Sequence, residues 1–201
     1  MISTTSFRKI KPIIFLAIIA PSFLWSYQLI NGSLGVNPIE KLMDNFGEMG
    51  LRLIIATLLI SSLSEFKKLR FLVDVRRMVG LFAFFYASCH FFTYIALDHF
   101  FDVSFIIKDI FKRPFITFGF LSFVLLIPLV ITSPKKMLKI LGYAVWKKIH
   151  YLIYPAAILS SVHFFMLVRA NKFEPAIYIF IILVLLLYRF YYKVIVPRLA
   201  Q

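Results

Sequence analysis

Six apolar runs set the terms for this chain, at residues 12–30, 49–63, 78–97, 115–132, 149–168 and 176–196. Most of them reach the ~17–25 residues that a helix needs to cross a bilayer. A backbone in hydrocarbon has to satisfy its own hydrogen bonds, and a helix does so within one segment. The fold expected is therefore all-α: a polytopic membrane protein, a six-transmembrane-helix bundle forming a single domain over residues 1–201. Composition agrees, with 61% hydrophobic residues and 24 Phe, against ~45–50% apolar residues in soluble domains. The second run carries Arg52 and the sixth is interrupted by Arg189 and Lys193, so each is expected to extend through, or snorkel into, the interface. The first run follows a basic tail, lacks a small-residue cleavage site and contains Pro21, which reads as a helix and not as a signal peptide.

The formal charge of +14 does not point to nucleic acid, because the basic residues sit at the ends of the apolar runs, where lipid headgroups and topology signals place them. Counted on alternate sides of six spans, 16 Lys and Arg fall on the side of the termini and 6 on the other, with Arg52 unassigned. That asymmetry predicts cytoplasmic termini and parallel, outward-running third and fifth spans. The longest polar stretch, residues 31–50, reads as an ordered loop opening a short helix at Ile39. No segment is long enough for a nucleotide-binding lobe, so nicotinamide chemistry must belong to a partner. No internal repeat stands out along the chain.

Signatures of soluble enzymes such as GxGxxG, GxSxG and HExxH are absent, and the single cysteine, Cys89, excludes an internal disulfide and a cysteine cluster. Histidine remains. Ionisable side chains inside a span are costly, so each is a functional hypothesis. His90 follows the basic anchor Arg77, and His163 follows Lys148, at nearly the same separation along the chain. On parallel helices the two imidazoles then share a depth in the outer half of the membrane, ~20 Å past the cytoplasmic ends at about 1.5 Å per residue, as an axial pair for a haem iron would. His150 precedes His163 on the same span by a similar rise, ~20 Å, which puts it at the cytoplasmic interface, a spacing that suits a second haem. Two features oppose that second haem. The side chains of His150 and His163 are ~140° apart around an ideal helix, and the third span offers Arg76 and Arg77 at the level of His150. Two readings of these arginines stand, as bidentate partners of a haem propionate or a flavin phosphate, or as anchors to headgroups. His99, among Asp98 and Asp102, reads as an unliganded surface histidine.

The runs Asn31-Gly-Ser-Leu-Gly-Val-Asn-Pro-Ile-Glu, Arg76-Arg-Met-Val-Gly-Leu, Lys112-Arg-Pro-Phe-Ile-Thr and Trp146-Lys-Lys-Ile-His-Tyr, with the His90 helix and His163, resemble the haem-binding membrane subunits of bacterial methionine sulfoxide reductase systems, the MsrQ (YedZ) family. These belong to the ferric reductase-like transmembrane haem proteins. The resemblance covers nearly the whole chain in order. It implies a cytochrome b domain with haem b, one or two, held by His90, His150 and His163, together with FMN. It further implies an inner-membrane location, a periplasmic molybdopterin-dependent reductase, MsrP, as the electron acceptor, and quinone or a cytoplasmic flavin reductase as the donor. The chain then reads as an electron-transfer subunit. The competing reading is a small non-haem transporter or assembly protein whose histidines bind substrate or bridge helices. A transporter of that kind would show inverted repeats and buried carboxylates.

Overall fold

The computed structural model describes residues 4–196; Arg198 lies outside the described residues, as do the side chains of Arg8, Lys9 and Lys193. The helices are α1 (Thr4–Ile30), α2 (Pro38–Leu63), α3 (Val73–Phe92), α4 (Val103–Lys112), α5 (Pro114–Ile131), α6 (Lys135–His150), α7 (Ile153–Leu167) and α8 (Phe173–Phe190). A 3₁₀ turn, Lys67–Leu72, leads into α3, and π-helical segments, Thr93–Asp98 and Tyr191–Ile195, continue α3 and α8. No strand occurs among the described residues. Six stretches are long and apolar enough to cross a membrane, as the sequence predicts. Alternation puts the N terminus, residues 64–72 and residues 133–150 on one side, the near side, and residues 31–37, 99–113 and 168–172 on the far side.

The short helix expected at Ile39 is the start of the second span itself. Pro38, with its fixed φ and missing N–H, opens α2 at the first helical position, and the Asn37 amide donates to the Glu40 carboxylate. α2 runs for 26 residues, ~39 Å at 1.5 Å per residue, so the second span extends well beyond its apolar run and Arg52 sits in mid-helix. It pairs with Glu48 at 2.8 Å and Glu174 at 3.5 Å and donates to the Tyr178 hydroxyl at 2.8 Å, tying α2 to the first turns of α8. The far-side connection holds a helix that the apolar pattern hid, α4, whose first turn is capped by the Asp102 carboxylate accepting from the Phe105 N–H at 2.9 Å. On the near side, α6 breaks at Gly142 (φ 72°) and then passes into α7 through Tyr151 and Leu152, both helical in dihedral angle.

α2 packs chiefly on α3, and α5 chiefly on α7. Leu53, Ile54 and Leu58 of α2 meet Val79, Phe82 and Ala83 of α3, with Leu126, Ala156, Ala157 and Ile182 completing one core. Ala156 and Ala157, both fully buried, let α7 approach α5 closely enough for the Ser122 hydroxyl to donate to the Ala156 carbonyl at 2.9 Å, the small-residue device by which helices associate in lipid. α1 lies at the periphery with Phe23 71% and Leu16 63% exposed, as lipid-facing side chains should be. It is held by Tyr86, wholly buried, whose hydroxyl donates to the Ile18 carbonyl at 2.5 Å.

Candidate metal centre between α3 and α7

His90 and His163, far apart in sequence, face one another with ring centroids 6.1 Å apart and planes at 77°. The Nδ1 of His90 lies 2.8 Å from the Met43 carbonyl, and that of His163 lies 2.6 Å from the Phe115 carbonyl. A carbonyl only accepts, so each Nδ1 carries the proton and each Nε2 keeps its lone pair. Two such imidazoles with one metal between them need centroids ~6 Å apart, since a metal–imidazole bond is ~2.0–2.1 Å and the ring centre lies about 1 Å further. The gap fits.

Two glycines make the approach possible. A Cβ on Gly47 would stand 2.9 Å from the Nδ1 of His90, and one on Gly119 would stand 2.8 Å from the Nδ1 of His163. Each glycine lies one helical turn beyond its carbonyl, Met43 before Gly47 and Phe115 before Gly119, so both imidazoles sit in the same notch on two different helices. This exposes a repeat that the linear reading missed. Phe46-Gly47-Glu-Met-Gly50 recurs as Phe118-Gly119-Phe-Leu-Ser122, and Ala87-Ser-Cys-His90-Phe-Phe recurs as Ser160-Ser-Val-His163-Phe-Phe, with almost the same offset along the chain. The repeat unit is a helix pair, α2 with α3 and α5 with α7, both running in the same sense. The signal is present in the sequence, but few residues outside these two motifs are shared between the copies, so it does not stand out.

The histidines line a cavity of about 380 Å³, within the range of cofactor pockets. Its walls obey the repeat, with Gly50 matched by Ser122, Ile54 by Leu126 and Phe91 by Phe164. No group of three or more His, Cys, Asp or Glu side chains able to hold a metal gathers among the described residues. A metal held by this pair must therefore bring its own equatorial ligands, as a porphyrin does, and the apolar, aromatic walls suit such a ring.

His150 is not brought to this cavity. It lies at the near side, stacked on Trp146 with centroids 3.8 Å apart, its Nδ1 donating to the Trp146 carbonyl at 3.1 Å, so its Nε2 is also unprotonated. Arg76 and Arg77 diverge, as adjacent helical residues must. Arg76 lies within electrostatic range of His150, Arg189, Tyr143 and Tyr154. Arg77 donates to the Ser133 hydroxyl at 3.1 Å and lines a separate groove of about 870 Å³ with Lys11 and Lys135. Arg189, expected from the sequence at the interface end of the sixth span, donates to the Tyr154 hydroxyl at 2.8 Å, and its Nε is buried with no hydrogen-bond partner. An orphaned guanidinium N–H beside a second arginine fits a missing anion. On the internal repeat, Arg77 is the counterpart of His150. Cys89 is half-buried and free, and His99 packs on Tyr94 and sits 3.4 Å from Asp98.

The family model described as ferric reductase like transmembrane component matches residues 46–161, a stretch that takes in both glycine notches and His90 and ends just short of His163. The chain is 44% identical to the protein-methionine-sulfoxide reductase heme-binding subunit MsrQ of Herminiimonas arsenicoxydans, over 91% of this chain and 85% of that one. With the MsrQ subunit of Caulobacter vibrioides it shares 42% identity over 88% and 84% of the two chains. A magnetosome protein, MamZ of Paramagnetospirillum magneticum, is 36% identical over 90% of this chain but only 29% of its own length. By sequence along nearly its whole length, the chain belongs to the MsrQ family of heme-binding membrane subunits within the ferric reductase-like transmembrane proteins.

Proposed function

We propose that the protein is a b-type cytochrome of the bacterial inner membrane, carrying electrons from a cytoplasmic-side donor to a periplasmic methionine sulfoxide reductase of the MsrP type. The observation that carries this reading is the facing pair of Nε2 lone pairs on His90 and His163, each fixed by a carbonyl behind it. A haem bound there supplies a one-electron Fe(III)/Fe(II) couple. The chain's own part is to hold both imidazoles in one tautomer and to exclude water with the Phe91, Phe123 and Phe164 walls. The charge asymmetry supports an orientation with the near side cytoplasmic and the far side periplasmic. Alkaline phosphatase fused after Gln201 is then inactive, and strong activity from that fusion would reverse the direction of transfer.

On the near side, His150 with Arg76 and Arg77 forms the entry region, with quinone or a flavin reductase as donor. Arg76 and Arg189 suit the phosphate of FMN or the propionates of an inner haem, and Arg77 holds an anionic group at the neighbouring groove. Replacing His150 by Ala should leave the His90/His163 haem in place and slow its reduction by a flavin reductase, because ~20 Å of helix then lacks a relay. Dithionite, which needs no relay, should reduce both proteins equally fast. Stopped-flow traces compare the two. Equal rates with the reductase would remove His150 from the path, and a wild-type haem that accepts no electrons from either donor would end the conduit reading.

A further inference from the structure

The cavity between His90 and His163 is not symmetric in charge along its length. Toward the near side it is closed by Leu51, Ile54, Phe123 and Leu126, and only its far-side mouth is polar. Acids line that mouth, with Glu40, Asp44 and Glu48 spaced one turn apart on α2 and Asp98 at the end of the π segment. Away from the α2 acids, at the end of α4, the mouth carries Arg113, the one side chain of fixed positive charge among the described residues lining the cavity.

Arg113 is held in place from two directions. Its Nη1 lies 3.3 and 3.4 Å from the two carboxylate oxygens of Asp109, and its guanidinium lies 4.8 Å from the ring centre of Phe115. Phe115 is also the residue whose carbonyl anchors His163. Asp109 is 7% exposed and accepts from the Tyr94 hydroxyl at 3.0 Å. Tyr94 stands one turn after His90, on the π-helical continuation of the same helix. Neighbours of both histidines thus converge on one ion pair, and that pair employs only Nη1. Four of the five guanidinium N–H donors, or three if both Nη1 protons serve Asp109, remain for another anion.

A porphyrin is an apolar plate with two carboxylates along one edge. We propose that Arg113, positioned by Asp109, receives those carboxylates, so that the haem between His90 and His163 lies with its charged edge at the far-side mouth. The proposal rests on the His90/His163 pairing. It fixes orientation, which the pair of axial ligands alone does not. The acids of α2 repel the carboxylates, and the deep end offers them only the Ser122 and Ser160 hydroxyls, which are already committed to the Ala156 and Ala157 carbonyls, so Arg113 is the remaining partner.

The test titrates haem-free full-length protein with ferric protoporphyrin and with its dimethyl ester, which has the same ring and no carboxylates. Wild type should bind the free acid about tenfold more tightly, the value of one charge-assisted hydrogen bond. Arg113→Gln should bring the two within about twofold, while Lys112→Gln keeps the full preference. Asp109→Asn should lose part of the preference with Arg113 intact, and Asp109→Glu should restore it, a ratio that a purely structural role would not move. Equal binding of acid and ester by wild type overturns the assignment without need of any variant, as does full preference retained in Arg113→Gln. If neither porphyrin yields a low-spin bis-imidazole spectrum, the pairing itself fails and the edge assignment falls with it.

Discussion

Replacing either His90 or His163 by Ala should abolish the far-side haem altogether, leaving no reduced-minus-oxidised signal from it. The expectation follows from the tautomers. Each Nδ1 is committed to a carbonyl, Met43 or Phe115, so each ring has one lone pair to offer, and the one other imidazole lining the cavity among the described residues, His99, stands at its far-side mouth beside Asp98. His99 is packed onto Tyr94 and Phe105, and Cys89 follows a different direction around α3. Loss of one axial bond therefore has no substitute, and in an apolar cavity the surviving imidazole gains nothing from water. Folding should survive, because the packing of Leu53 and Leu58 against Val79 and Phe82 lies toward the near side. Both purified variants are expected to retain helical circular dichroism while losing the Soret band. A full spectrum in both single variants would refute the pairing.

Gly119→Ala should have nearly as large an effect although it removes no ligand. The added Cβ would lie 2.8 Å from Nδ1 and 2.9 Å from Cε1 of His163, inside contact distance, and the ring cannot retreat without breaking its 2.6 Å bond to Phe115. Overpacking of this kind costs ~1–3 kcal/mol in a close-packed interior, and here the strain falls on the imidazole's aim. Gly47→Ala presses on His90 in the same way, at 2.9 Å. Haem affinity is expected to fall by at least about tenfold in each, the equivalent of ~1.4 kcal/mol, whereas Gly80→Ala, whose Cβ would meet only Thr57 at 3.6 Å, should bind haem normally. Titration of the haem-free variants with haemin measures this. Wild-type affinity in Gly119→Ala would show that the notch does not constrain the ring.

Much of this is open to reading from the residues. The apolar runs carry the six helices, because a span of hydrocarbon length needs no long-range information. Matched spacing from basic anchors brings His90 and His163 to one depth, and the structure puts them face to face. What the linear pattern does not yield is contact between distant residues. The tie from Arg52 to α8 is hidden in the linear pattern because Glu174 lies 122 residues away, although its pair with Glu48 is local. α4 is amphipathic and only 10 residues long, so no hydropathy window isolates it. Arg113 and Asp109 read as loop charges until the fold sets them beside Tyr94 and Phe115. Gly47 and Gly119 carry no chemistry of their own, and only the position of the ring opposite each explains them. The helix-pair repeat is weak in identity, being preserved chiefly where a carbonyl, a glycine and a histidine must meet.

The two halves of that repeat agree at one end of the bundle and differ at the other. On the far side both copies keep the imidazole, so a haem held by both rings would have no vacant coordination position. Dioxygen could then not bind the iron, and electrons would leave by outer-sphere tunnelling from the edge of the ring, so the surroundings of that edge, and not ligand exchange, would decide which acceptor is reduced. On the near side one copy has an arginine where the other has His150. That end cannot form the same six-coordinate box, and its free Nε2 is left open to a ligand or a visiting redox partner.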